Sequence, residues 1–191
     1  GLLFGSFNPI HIGHLALANY LLEFAPFDEV WFIVSPQNPF KEQSDLVDAH
    51  HRLEMVKLAV SREKRFKASD IEFDMPVPSY TLKTLELLKT SNSDHLFTLI
   101  IGSDNLLTFP RWYAAKQILE KYQILVYPRP GYPTEKADPD FLDKVKIKEA
   151  PLLDISSTFI RKAFTENKKL PYLVPHEVFD YITSKGLYLK S

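Results

Sequence analysis

The stretch "GLLFGSFNPIHIGHLALANYLLEFA" (residues 1–25) decides how the rest of the chain is read. "LLF" (2–4) is a short apolar run of strand type. "GHLALANYLLEFA" (13–25) has helical spacing, with Leu15, Ala18 and Leu22 on one face and Leu17, Leu21 and Phe24 on its neighbour, a stripe wide enough to cover a sheet. Between them, "GSFNPIHIGH" (5–14) packs two glycines, a proline and two histidines into one loop. Gly5 opens the backbone to close approach, Asn8-Pro9 makes a turn, and Gly13 removes a side chain where the helix starts.

The same alternation continues outward from this unit. "VWFIV" (30–34), "FKAS" (66–69), "LFTLII" (96–101), "QILVY" (123–127) and "KVKIK" (144–148) read as strands. The first, third and fourth of these five do not alternate in polarity, which predicts burial on both faces. "DAHHRLEMVKLAVS" (48–61), "SYTLKTLELLKTS" (79–91) and "RWYAAKQILEKY" (111–122) read as helices between them. Strand and helix in turn predict right-handed βαβ units and an α/β fold with a doubly wound parallel sheet. Ligands of such sheets sit beyond the carboxyl ends of the strands, near the switch in strand order, so the strand-to-helix loops are where chemistry is expected. "PRPGYPTEKADPD" (128–140) is a surface excursion, and "ISSTFIRKAF" and "PHEVFDYITSK" read as two closing helices, the second opened by Pro175. One domain over 1–191 is expected, with 150–191 as a C-terminal helical segment packed on the sheet.

Composition narrows the function classes. Apolar content of 45% and charged content of 25% are ordinary for a globular chain of 191 residues. Lys and Arg number 23 against 24 Asp and Glu, a formal charge of −1, so no bulk attraction to nucleic acid or to an acidic membrane is implied and anion binding must be local. With no cysteine, disulfides, zinc ribbons and thiol nucleophiles are excluded. No apolar run approaches the roughly 18 residues of a membrane span, and no basic leader precedes the first strand, so a cytoplasmic location is expected. The chain starts at Gly1 without Met, which leaves room for a few residues missing before the first strand.

Two loops stand out chemically. His11 and His14, three apart, share a face when helical and could both donate to one anion at a helix start, where unpaired N–H groups and the positive dipole end lie. The same pair could bind a metal or be ordinary polar residues at a helix end. In "ISSTFIR" (155–161), three hydroxyls precede a helix and Arg161 follows. Ser156 or Ser157 could be only an N-cap, but hydroxyls, N–H groups and an arginine together also describe a polyphosphate clamp. Read as a pair, the two loops favour the clamp, each supplying half.

"GSFNPIHIGH" with "ISSTFIR" resembles the nucleotidylyltransferase superfamily, marked by HxGH after the first strand and an ISSTxxR-like motif near the C-terminus. Within it, the chain is similar to bacterial nicotinate-mononucleotide adenylyltransferases over nearly all its length. The intermediate matches are "VSPQNPFK" (34–41), "HRLEMVKLA" (51–59), "PSYTLKTLELL" (78–88), "IIGSDNLLTFPRW" (100–112), "VYPRPG" (126–131) and "LPYLVPHEVFDYI" (170–182). It departs from the family pattern at Phe4, where a glycine is common, at Asn8, where aspartate is usual, and at Phe40, where histidine often precedes the lysine.

The resemblance implies a Rossmann-like fold and adenylyl transfer from ATP to the 5′-phosphate of nicotinate mononucleotide, giving deamido-NAD and pyrophosphate. His11 and His14 would contact the ATP phosphates, bordered by the backbone of Gly5, Ser6 and Phe7, with Ser156, Ser157 and Arg161 on the β- and γ-phosphates. Lys41 could reach the reacting phosphates or be a solvated lysine. Gly102 would admit the nucleotide and Asp104 accept from ribose hydroxyls, or Asp104 could cap a helix. Tyr80, Thr81 and Trp112 would meet the pyridine nucleotide, although Trp112 alone could equally be core. Arg129 stays open between a nucleotide contact and the surface, and His50, His51, His95 and His176 receive no role. Magnesium would come with ATP, held mainly by substrate phosphates and water, with no metal site built by the protein. The rivals are an adenylyltransferase for nicotinamide mononucleotide or pantetheine phosphate, and a non-catalytic nucleotide sensor on the same fold. Oligomeric state is not readable from the sequence.

Overall fold

The computed structural model describes residues 1–37 and 46–189. Six strands form one parallel sheet in the order β3-β2-β1-β4-β5-β6. They are β1 Leu2–Gly5, β2 Val30–Val34, β3 Phe66–Ser69, β4 Thr98–Gly102, β5 Gln123–Tyr127 and β6 Lys146–Ile147. The order reverses between β1 and β4, whose ladder pairs Leu2 with Leu99 and Leu3 with Ile100. That switch opens a crevice between the loops leaving the two strands.

Both faces of the sheet are covered. Leu3, Val30, Phe32, Val34, Ile100 and Leu125 point into one core, joined by Leu17 and Leu21 of α1 (Ile12–Phe24) and Met55 and Val56 of α2 (Ala49–Val60). Ile160 and Phe164 of α7 (Ser157–Thr165) and Val178 and Ile182 of α8 (His176–Lys185) complete that core, with α8 lying against α2. Leu2, Ile33, Leu99, Ile101, Ile124 and Val126, at the alternate positions, face the other core. There they meet Leu82 and Leu85 of α3 (Thr81–Ser91), Leu106 of α4 (Ser103–Thr108), Ile118 of α5 (Ala115–Lys121) and Phe141 of α6 (Pro139–Leu142). The period of two along each strand thus sorts one apolar run into two cores, which is why β2, β4 and β5 show no polar alternation.

Three expectations are corrected. The helix read over 111–122 is in fact two pieces: α4 follows β4 directly, a 3-10 turn spans Phe109–Arg111, and α5 starts only at Ala115. Pro110 cannot donate within a helix, and Ala114 stands in the left-handed region at φ 53°, so the chain breaks there and leaves Trp112 extended. Phe24 is 62% exposed, not part of the buried stripe, and its ring stacks on Tyr20. Pro175 caps α8 from outside, with extended backbone, rather than opening its first turn. Among the described residues no helix is long and apolar enough to cross a membrane.

Candidate active site

A cleft of about 650 Å³ lies over the switch point, between the loops that follow β1 and β4. That volume is in the range of small-ligand sites. The lining of the cleft includes Gly5, Ser6, Phe7, His14 and Ser157 from the first motif pair, here called one end, Tyr80, Thr81, Trp112 and Tyr113, called the other, and Gly102, the last residue of β4, Asp104 in α4 and Arg129 after β5.

At the first end the chain turns sharply after β1. Phe7 takes φ 44°, a left-handed conformation that costs a non-glycine residue on the order of 1 kcal/mol. This turn folds the Phe7 ring back over β1, so that a Cβ on Gly5 would stand 2.9 Å from it. Gly5 therefore makes room for Phe7 while also lining the cleft.

His11 and His14 do come together, with ring centroids 3.8 Å apart, but they are not equivalent. The His11 N–H donates to His14 Nδ1 at 3.2 Å. An imidazole nitrogen that accepts carries no proton, so neutral His14 holds its proton on Nε2 as a donor. His11 is buried and does not line the cleft, and its Nδ1 is enclosed at the start of α1. Burial, with the Arg129 cation as a second cause, lowers the His11 imidazole from 6.5 to about 4, so it is neutral at physiological pH.

The helix start is less open to an anion than its sequence implies. The Ile12 N–H donates to the Leu173 carbonyl at 3.1 Å and the His14 N–H to the His11 carbonyl at 3.0 Å.

The two motifs meet directly. Ser157 Oγ donates to the Pro9 carbonyl at 2.9 Å, and the Arg161 guanidinium donates to the Asn8 carbonyl at 3.0 Å. Ser156 is exposed, lies outside the cleft lining, and accepts from the Phe159 N–H at 3.1 Å, which is the N-cap reading of that residue. Arg161 holds the turn through the backbone of Asn8. Asn8 Oδ1 accepts from the Tyr188 hydroxyl at 2.9 Å and from the Val47 N–H at 3.3 Å, tying the C-terminal segment to the same turn.

Asp104 sits in the first turn of α4 without capping it and pairs through Oδ2 with the Arg129 guanidinium at 2.9 Å. Its Oδ1 is enclosed and unpartnered. A Cβ on Gly102 would collide with the Asp104 carboxylate and with the Arg129 chain, so this glycine is required by the pair. Arg129, left open by the sequence, belongs to the cleft, and its N–H is held by the buried Ser103 hydroxyl at 2.8 Å.

At the other end, Tyr80 caps α3 with extended backbone and its ring lies 4.7 Å from that of Tyr113. Trp112 is partly buried against Phe109, at 5.0 Å between centroids, with an enclosed, unpartnered Nε1. Lys41 and Phe40 lie outside the described residues.

Sequence reasoning passed over three residues here. Tyr113, its ring tilted against that of Tyr80, lines the cleft with the expected Tyr80, Thr81 and Trp112. Glu72, 2% exposed, accepts from the Ser79 hydroxyl at 2.8 Å and the Thr84 hydroxyl at 2.7 Å, bracing the loop that carries Tyr80. Arg52, 1% exposed, spends its guanidinium on four backbone carbonyls. Its signal was an arginine three and four residues before Met55 and Val56, on the apolar stripe of α2.

Among the described residues no three His, Asp or Glu side chains are grouped to hold a metal ion. Of the cleft carboxylates, Glu72 accepts from two hydroxyls and Asp104 pairs with Arg129 through one oxygen.

Comparison with known proteins shows the family. Residues 2–163 match the family described as cytidylyltransferase-like. A protein of Bacteroides fragilis (strain YCH46), named "Probable nicotinate-nucleotide adenylyltransferase", is 49% identical over 182 residues, covering 95% of this chain and 90% of its own length. One of the same name from Flavobacterium johnsoniae is 45% identical over 190 residues, covering 100% of this chain and 98% of its own. Among solved structures, the Plasmodium falciparum nicotinic acid mononucleotide adenylyltransferase complexed with NaAD shares the fold, with TM-score 0.80 at 21% identity over 98% of this chain and 95% of that one.

Proposed function

This chain belongs to the cytidylyltransferase-like family and, within it, to the nicotinate-nucleotide adenylyltransferases, and from that premise we infer how its cleft works. It transfers the adenylyl group of ATP to nicotinate mononucleotide. A 5′-phosphate oxygen of the mononucleotide attacks the α-phosphorus of ATP, a new P–O bond forms, and the bond to pyrophosphate breaks. The attacking group is already an anion, so the protein supplies alignment and charge stabilisation rather than a nucleophile.

Each end of the cleft has its task. His14, its proton fixed on Nε2 by the His11 N–H, donates to the phosphate on which charge develops. His11, neutral and enclosed, holds His14 through its backbone and ring. The turn over Ser6 and Phe7, together with Ser157, borders the triphosphate, Arg161 holds the turn's shape, and Ser156 caps the helix that carries Ser157. Asp104 accepts from a ribose hydroxyl, which would exchange with its Arg129 partner. Trp112, Tyr80 and Tyr113 form the platform for the pyridine ring, with Thr81 beside it to bond the ring carboxylate. Magnesium would arrive on the ATP phosphates and neutralise charge on the leaving pyrophosphate.

The observation that carries this reading is the hydrogen-bonded junction of residues 5–14 with 155–161 at the switch point, sharing one cleft with an aromatic platform. The test is incubation with ATP and magnesium plus nicotinate mononucleotide, nicotinamide mononucleotide or pantetheine phosphate, following pyrophosphate release. Fastest release with nicotinate mononucleotide is expected. Indifference to it beside rapid turnover of another acceptor would replace the acceptor, and no release with any would favour a nucleotide sensor.

A further inference from the structure

Arg52 is a buried cation whose hydrogen bonds among the described residues go to backbone carbonyls, with Tyr188 and the Asp48 carboxylate close enough to favour its charge. Its Nε donates to the Val47 carbonyl at 2.8 Å, Nη1 to those of Ser6 and Ser35 at 2.7 Å each, and Nη2 to that of Pro36 at 2.7 Å. Burying a charge is costly unless its donors are satisfied. Four of its five N–H groups are satisfied here, by two loops that leave neighbouring strands: Ser6 follows β1, while Ser35 and Pro36 follow β2. The Ser35 N–H closes the same junction by donating to the Gly5 carbonyl at 2.9 Å.

We propose that Arg52 is a positioning residue for the donor nucleotide, holding the Ser6 and Pro36 carbonyls behind the cleft so that the next peptide N–H groups, of Phe7 and Gln37, face into it. A trans peptide carries its N–H on the edge opposite its carbonyl, so fixing one fixes the other. Ser6, Phe7 and Gln37 line the cleft and Arg52 does not, so the guanidinium lies on the far side of these peptides from the ligand space. Peptide N–H groups aimed in advance at phosphate oxygens need no reorganisation when charge develops. A lysine keeps the charge but offers three donors from one nitrogen, which cannot span four carbonyls on both loops. The proposal rests on reading the cleft as an ATP site.

The test pairs Arg52→Lys with Met55→Ala, a fully buried residue of the same helix that touches neither loop's carbonyls. We expect Arg52→Lys to lower kcat/KM for ATP by about ten- to a hundredfold, the size of effect that a small misplacement of a reacting group produces. Met55→Ala, with a fall in Tm at least as large, keeps kcat/KM for ATP within about twofold, as expected of lost packing alone. Unchanged ATP kinetics in Arg52→Lys, or an equal loss in both variants, would overturn the proposal. Should Arg52→Lys fail to fold, the wild-type protein decides. On titration with α,β-methylene-ATP, the Phe7 amide signal must shift and its hydrogen exchange must slow. A silent Phe7 amide with bound analogue overturns the positioning role, whereas a responsive one without turnover of nicotinate mononucleotide overturns the acceptor and leaves Arg52 in place.

Discussion

The two ends of the cleft are built in different ways. The turn after β1 is braced by groups far away in sequence: Ser157, Arg161 and Leu173 bond its backbone, and Tyr188 reaches the Asn8 side chain. Arg52 adds a fifth brace on the Ser6 carbonyl. The acceptor end is local and open, with Tyr80 42% and Tyr113 52% exposed and its nearby polar brace, Glu72, only 7 residues from Ser79. Phosphates are alike in every nucleotide and reward a rigid cradle set before binding. A flat ring is gripped mainly by surface that it buries itself, so a partly exposed aromatic pair is a platform completed by its ligand. Damage at the first end should therefore appear in kcat, and damage at the second in KM for the acceptor.

The largest effect is expected from His14→Ala. Removing one pre-aimed donor costs on the order of 10²- to 10³-fold in kcat, with KM for ATP changed little. Steady-state kinetics with both substrates varied would show it. If kcat stayed near normal while KM for ATP rose, the first end would be a binding cradle only, and the contrast between the ends would fail.

Acid should weaken the braced end through His11. Its imidazole sits at about 4 when folded and near 6.5 when free, so the unfolded chain binds the extra proton across that interval. Stability is fully present above 6.5 and falls as pH drops from 6.5 towards 4. At about 1.4 kcal/mol per pH unit, the total loss is on the order of 3 kcal/mol. Urea unfolding of wild type and His11→Gln at pH 5 and pH 7 isolates this contribution. The variant should lose less stability than wild type between the two, and parallel curves would mean that His11 is not held neutral by its surroundings.

How much of this was readable in the sequence follows the same division. The apolar runs gave every strand to within two residues at each end, because a buried strand needs only a short local run. The turn at 5–14 and the hydroxyls at 155–161 were legible because each carries unusual residues in a tight window. Their braces were not. Arg52 bonds carbonyls, which every residue has, so nothing at Ser6 or Pro36 marks the partner 46 and 16 positions away. The Asp104–Arg129 pair spans 25 positions and depends on β4 and β5 lying side by side. The break that frees Trp112 was hidden because Ala114 is a helix former by propensity, and only tertiary packing holds it at φ 53°.

Trp112 supplies the smallest and sharpest test. Its ring packs on Phe109 and also lines the cleft, so core and platform readings both have geometry behind them. Stacking of an aromatic pair contributes about 0.5–1.5 kcal/mol beyond buried area, so Trp112→Ala should raise KM for nicotinate mononucleotide roughly three- to tenfold. KM for ATP should hold, as should kcat within about twofold, since the braced end is untouched. Trp112→Phe separates the two readings further: it keeps a ring against Phe109 but removes the enclosed Nε1–H, which has no acceptor among the described residues. A donor left unpaired in the free enzyme is destabilising, so its removal should leave Tm unchanged or raise it. A rise in KM for the acceptor in that variant would then mean that the substrate itself accepts from the indole. If Trp112→Ala instead lowered Tm and left both KM values alone, Trp112 would be core and the platform would consist of the two tyrosines.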